Sequence, residues 1–199
     1  MSCLKNIVRA IILTLAVVGF LSLGGQEFVT KYITQLINPS PQTMLERAKK
    51  VGDFSALNEE FELEKASGMF GYNGVVAEHK ASGQKFIVVD AASKPLFTQE
   101  DIRSDKLEGK IKNTLSKFKY QAISVDEIKV TKHGEMTSYG KSVPYARFNA
   151  KINRLPIGDV SGIISVAETK DGDARILISA NEKSKYSQLI SEEFFKNIK

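Results

Sequence analysis

Cysteine is almost absent from this chain. Its 199 residues include one, Cys3, and none from Ser40 to Lys199. No disulfide can staple that stretch, and no thiol in it can act as a nucleophile. The 160 residues from Ser40 onward are enough to bury a core without such help. Asn-x-Ser/Thr triplets with a residue other than proline at x are also missing, so nothing points to N-glycosylation. Both absences fit a bacterial envelope protein. Cys3 lies before the apolar run and not after it, which excludes a lipoprotein cysteine. It reads as an ordinary tail residue, with acylation beside a membrane as the other option.

Charge of one sign is scarce too. Setting aside Lys5, Arg9, Lys31 and Glu27 leaves 25 basic and 22 acidic residues after position 39, a mixed and soluble surface. A nucleic-acid binder concentrates its basic residues on one face with arginines or aromatics to read and stack on bases. Here the basic residues are mostly lysines alternating with acids, so nucleic acid is not expected as a partner.

Motifs for chemistry are missing as well. There is no Gly-x-Ser-x-Gly elbow. A Ser-His-acid triad need not be local in sequence, so a hydrolase stays open as an alternative. The only histidines are His79 and His133. His133-Gly134-Glu135 reads as a hairpin turn at the surface, because glycine interrupts the i, i+2 geometry a strand-borne metal pair needs. Asp171-Gly172-Asp173 lacks the further oxygens of a calcium loop and reads as a tight turn. No cofactor, metal or catalytic residue is assigned.

What is present begins with an apolar run. Ala10 to Gln26 holds 17 residues without charge. As a helix it spans ~26 Å, against ~30 Å of hydrocarbon. Lys5 and Arg9 can snorkel to close the gap. A signal-peptide core is shorter, ~7–15 residues. The only fair cleavage site is Ser22-Leu23-Gly24. Phe28, Val29, Tyr32, Ile33, Leu36 and Ile37 then continue one apolar stripe until Asn38-Pro39-Ser40-Pro41 stops it. The expectation is a retained anchor over 1–37 with an amphipathic stem, touching membrane lipid through Phe28, Tyr32 and Ile33. A cleaved signal ending near Gly24, and a buried core helix, are the alternatives. Positive charge before the run puts the N-terminus on the cytoplasmic side and the rest outside. Cleavage would make the protein secreted or periplasmic.

Residues 38–42 read as a linker and 43–199 as one α+β domain. Thr43 and Glu46 form a capping box, so a helix should follow with Met44, Leu45, Ala48 and Val51 inward, ending near Gly52. "FELEKA" reads as a strand and Ser67-Gly68 as a turn. Two strands flank the hairpin loop Ala81-Ser82-Gly83. Adjacent Val88 and Val89 imply a strand covered on both faces. Thr98-Gln99-Glu100-Asp101 starts a short helical turn. Ser104 caps a helix with Leu107, Ile111, Leu115 and Phe118 inward and Lys106, Glu108, Lys110, Lys112 and Lys117 outward. Its Glu108–Lys112 pair is worth only ~0.2–0.5 kcal/mol. Strands follow at "EIKVTKH", "EMTSYG", "VPYARFNAKI", "GIISVAET" and "ARILISAN". A last helix from near Lys185 presents Tyr186, Leu189, Ile190, Phe194 and Ile198. The sum is an antiparallel sheet of about seven or eight strands packed by helices.

The closing stretch, "YARFNAKI…SGIISVAETKDGDARILISANEKSKYSQLISEEFFKNI", resembles the end of PsbP-like α/β sandwich domains. A cystatin-like helix-on-sheet fold is a competing match. The PsbP-like family includes extracytoplasmic accessory proteins, so the resemblance implies a binding or assembly role and transfers no site residue. The leading expectation is therefore a non-catalytic, tethered accessory protein that binds an envelope protein or wall component. A lipid- or anion-binding module using Lys106, Lys110, Lys112 and Lys117 is a further alternative. In "ASGMFGYNGVV", glycines space out Met69, Phe70 and Tyr72. These read as an irregular edge strand with core aromatics, or as an apolar contact for a partner or bilayer.

Overall fold

Alternation along the strands sets the architecture. In β3 (Gln84–Asp90), Phe86 and Val88 point to one face of the sheet, and Ile87 and Val89 to the other. Both faces must therefore be covered, and both are. A computed structural model describes residues 41–69, 72–90, 96–116, 124–153 and 159–199. The remaining strands are β1 (Phe61–Met69), β2 (Tyr72–His79), β4 (Ser124–Ser138), β5 (Lys141–Asn153), β6 (Val160–Glu168) and β7 (Ala174–Glu182). They form a seven-stranded sheet in the order β1-β2-β3-β7-β6-β5-β4. Every neighbouring pair is antiparallel. One meander runs β1 to β3. The chain then passes through α2 (Gln99–Arg103) and α3 (Leu107–Ser116) to the far edge, and a second meander returns from β4 to close on β3.

Two apolar cores result. On one face Phe97, Ile102, Leu107 and Ile111 pack on Ile87, Val89, Ile164, Ile176 and Phe148. On the other, α1 (Pro41–Val51) and α4 (Gln188–Lys196) bring Ala48, Val51, Phe194 and Phe195, with Ile198 just beyond α4, against Phe61, Phe86, Val88 and Leu177. Phe86 and Phe194 stack with centroids 4.1 Å apart. Each fully buried side chain of this size contributes about 1.5–3 kcal/mol.

The helices depart from expectation in detail. α1 starts at Pro41, so Thr43 lies inside it and does not cap it. Proline suits a first turn, whose N–H groups have no partner in the helix. Ala48 and Val51 are buried, but Leu45 is 54% exposed. It lies six residues before Val51, about 120° around the helix. α3 begins beside Ser104 as expected, with Leu107 and Ile111 buried. The side chain of Leu115, and all of Phe118 and Lys117, fall outside the described residues. In α4, capped by Ser187, the buried positions are Ser191, Phe194 and Phe195. Leu189 stands two residues from Ser191, on the opposite side, and is 78% exposed.

Two expected turns are strand instead. Ser67 and Gly68 belong to β1, paired with Gly74 and Asn73; Met69 pairs with Tyr72, so the connection falls at residues 70 and 71. His133-Gly134-Glu135 lies within the single long strand β4. Gly134 is needed for clearance: a Cβ there would stand 2.6 Å from the Tyr145 ring on β5. The actual β4–β5 turn is Tyr139-Gly140, with φ 50° and 71°. That is the positive-φ pair a two-residue hairpin requires. The expected turns at Gly83 and Gly172 are present, with φ 69° and 84°.

Candidate functional site

Three polar clusters lie on this frame. The first is at the β1 edge. Lys85 on β3 is buried, and its ammonium meets Glu64 of β1 at 2.8 Å and Glu78 of β2 at 2.9 Å. Glu64 reaches it because β1 carries an irregularity between Leu63 and Lys65. The extra residue of a bulge re-aims its side chain. The Glu64 Oε2 is buried without a hydrogen-bond partner. Burial pushes the Glu64 carboxyl above its usual value, against the pull of Lys85. Burial also acts upward on Glu78, but the bonds from Lys85 and Glu64 outweigh it, and Glu78 is lowered. Sequence reasoning did not single out these three residues. Their spacing becomes meaningful only through the register.

The second cluster surrounds His79, which is buried. Its Nδ1 lies 2.9 Å from Ser82 Oγ, and its Nε2 lies 4.0 Å from Glu60. The residue types are those of a Ser-His-acid triad, but the bonding is that of a turn. The Ser82 N–H donates to the same Nδ1, Gln84 N–H donates to Ser82 Oγ, and Gly83 N–H donates to the His79 carbonyl. The nearby backbone donors are thus committed to the loop and not aimed at a developing oxyanion. The ring also packs on Phe61, centroids 5.3 Å apart. His133 is half-buried too: its Nδ1–H donates to the Ile102 carbonyl at 2.7 Å, near the end of α2. The two histidines therefore serve local structure. Among the described residues no group of three or more His, Cys, Asp or Glu could hold a metal ion.

The third cluster is the lysine face of α3. Lys110 is paired with Asp101, and Lys112 with Glu108 at 2.7 Å. Glu108 also accepts the Val130 N–H on the edge strand β4. Lys106 borders an open groove with Leu96, Asp105, Gly109 and Asn113. Acids thus interleave the lysines, and the face is mixed in charge.

Elsewhere the buried polar groups hold elements together. The Gln84 amide joins Ser179, Ser191 and the Ser187 backbone beneath α4. Arg175 bonds Asp90 at 2.8 Å and the Lys50 and Val51 carbonyls at the end of α1.

Of the proposed contact residues, Met69 and Tyr72 form the last pair of the β1–β2 hairpin, and Phe70 lies outside the described residues, as do Phe28, Tyr32, Ile33 and the whole 1–37 segment. Among the described residues no helix is long and apolar enough to cross a membrane. In comparison with known proteins, no family model matches the chain and no curated protein matches it. What the coordinates define is an α+β class: one antiparallel sheet with helices on both faces.

Proposed function

We propose that this is a non-catalytic accessory protein, tethered by its N-terminal apolar run outside the cytoplasmic membrane, which binds an envelope protein through the β1–β2 hairpin. The observation that carries the reading is the contrast between the two sheet edges. An edge strand offers unpaired backbone groups to a partner strand. On β4 the part from Ser124 to Lys132 is obstructed by two register irregularities, by Lys129 and Lys132, and by the Glu108 carboxylate on Val130 N–H. On β1 the stretch Ala66–Met69 pairs regularly with β2 and leads into the Met69-Phe70-Gly71-Tyr72 tip. Helices on both faces of an antiparallel sheet support the PsbP-like resemblance over a cystatin-like one.

The test is site-specific photocrosslinking in intact cells. A photoreactive residue at Ser67 should capture one defined envelope protein, and the same residue at Thr131 on β4 should not. Phe70→Ser should abolish capture without unfolding the domain. Equal capture at both edges would refute the reading. For the tether, the chain should remain in the membrane pellet after alkaline carbonate; a soluble form beginning near Gly25 would overturn it. A hydrolase instead would be labelled by a fluorophosphonate at Ser82, and the label would disappear in His79→Ala.

A further inference from the structure

The Glu64–Lys85–Glu78 cluster contains a mismatch that its ion pairs leave unexplained. Two carboxylates meet one ammonium, so the group carries one surplus negative charge. It is not solvated away: Lys85 is 7% exposed at its side chain, Glu64 26% and Glu78 31%. One oxygen, Glu64 Oε2, is buried with nothing donating to it. A buried carboxylate oxygen without a donor is costly. Yet the Glu64 and Glu78 carboxyls meet on the one Lys85 ammonium, at 2.8 and 2.9 Å. Two carboxylates can only repel there. A carboxylic acid and a carboxylate can bond.

We infer that Glu64 and Glu78 share one proton above the Lys85 ammonium, and that this proton latches the edge strand β1 onto β2 and β3. With the proton on Glu64, the orphan oxygen becomes a donor to Glu78, the surplus charge disappears, and all three side chains are satisfied. The directions found for the two carboxyls, Glu64 up and Glu78 down, are those such a pair must show. The other charged residues that the register sets on this side of the hairpin are Glu62 and Lys65 of β1. On β7, Ala180 stands opposite Lys85, and Glu182 two residues on is held by Lys185 at 2.9 Å. Glu62 stands directly opposite Glu78 in the register but is exposed to solvent.

The sign follows from linkage. Glu64 holds its proton more tightly in the folded chain, so its contribution is present below its ordinary value of 4.5 and lost as pH rises through its raised one. Glu78 contributes above 4.5 and loses its contribution as pH falls through its lowered value. The latch is closed between the two and loosens on either side. It works whether or not the hairpin docks a partner.

Carboxyl-carbon NMR titration of the full chain in neutral detergent tests it, read with amide exchange across β1. Glu64 should titrate above 4.5 and Glu78 below. Exchange at Phe61–Met69, corrected for its intrinsic pH dependence, should accelerate as Glu64 ionises, while β6 is unchanged. Glu64→Gln, whose amide can donate to Glu78 at every pH, should abolish the acceleration. Glu78→Gln is the second arm: it should pull Glu64 down toward or below 4.5, since the competing charge is gone and the new amide can donate to an ionised Glu64. If Glu64 stays raised in Glu78→Gln, burial alone is the cause and no proton is shared. Titration of Glu64 at or below 4.5 in the native chain would also overturn the proposal.

Discussion

Replacing Gly134 by alanine should destabilise the fold, because the glycine gives clearance to a ring. The new methyl would lie 2.6 Å from both the ring Cζ and the Oη of Tyr145, and 2.8 Å from Cε1. The ring cannot easily retreat. Tyr145 is 3% exposed, packs in the core under α1 and α4, and its hydroxyl accepts from Gln188. Overpacking of this kind costs about 1–3 kcal/mol. The opposing effect is smaller: alanine restricts the unfolded chain and stabilises by about 0.4–1 kcal/mol. The net should be a loss of about 1–2 kcal/mol, taking about 2–4 °C from Tm per kcal/mol for a chain of this size. Urea and thermal unfolding followed by circular dichroism would measure it.

A second measurement isolates the cause. Tyr145→Ala alone should cost about 3–5 kcal/mol. With Tyr145 gone the alanine at 134 has room, so the double variant should be about 1–2 kcal/mol more stable than the sum of the singles predicts. Additive losses would mean that the ring is not what excludes a side chain. A gain in stability from Gly134→Ala alone would refute the clearance argument outright.

Three further outcomes follow from the packing and the polar anchors. Ile111→Ala, at a position 6% exposed under α3, should cost about 2–5 kcal/mol in urea unfolding; Leu189→Ala, 78% exposed, should stay within about 0.5 kcal/mol of the parent. Arg175→Met should cost about 3–5 kcal/mol, because it removes a buried guanidinium that pairs with Asp90 and donates to the Lys50 and Val51 carbonyls; a loss below about 1 kcal/mol would show that water replaces the guanidinium.

Local signals in the sequence carried the strands and their turns well. Val88 and Val89 announced a strand with two covered faces, and Gly83, Gly172 and Ser104 marked real boundaries. Where the reading failed, the deciding partner was distant in sequence. A glycine between two apolar stretches looks like a turn residue, and Gly134 becomes a clearance residue only when register sets it opposite Tyr145. Leu189 fits a helical apolar stripe until the helix's buried line through Ser191 and Phe194 is known. The β1-edge cluster was invisible for the same reason. Glu64 and Lys85 are 21 residues apart, and only a bulge, which leaves no mark in composition, brings them together.

The same long-range logic gives α1 a role suited to a tethered protein. Its first residue, Pro41, falls within the stretch 38–42 that reads as linker in the sequence, so helix replaces the end of that linker. Its far end is fastened to the middle of the sheet. Arg175 on β7, the central strand in the order, binds the Val51 and Lys50 carbonyls. The Tyr139 hydroxyl donates to the same Val51 carbonyl at 2.8 Å, from a residue held at positive φ. Asp53 and Lys199 exchange backbone hydrogen bonds, which ties the segment after α1 to the residues after α4. The last carbonyls of a helix lack intrahelical donors, so these bonds satisfy groups that would otherwise face the core unpaired. A load on the N-terminal segment would enter through α1 and pass to β7, whose ladders with β3 and β6 bear it in both directions. α1 also packs directly on β1 and β2, so the outer edge of the sheet shares that load. The proposed attachment and the proposed contact thus share α1 as a common support, and a loosened β1 would be felt at that helix.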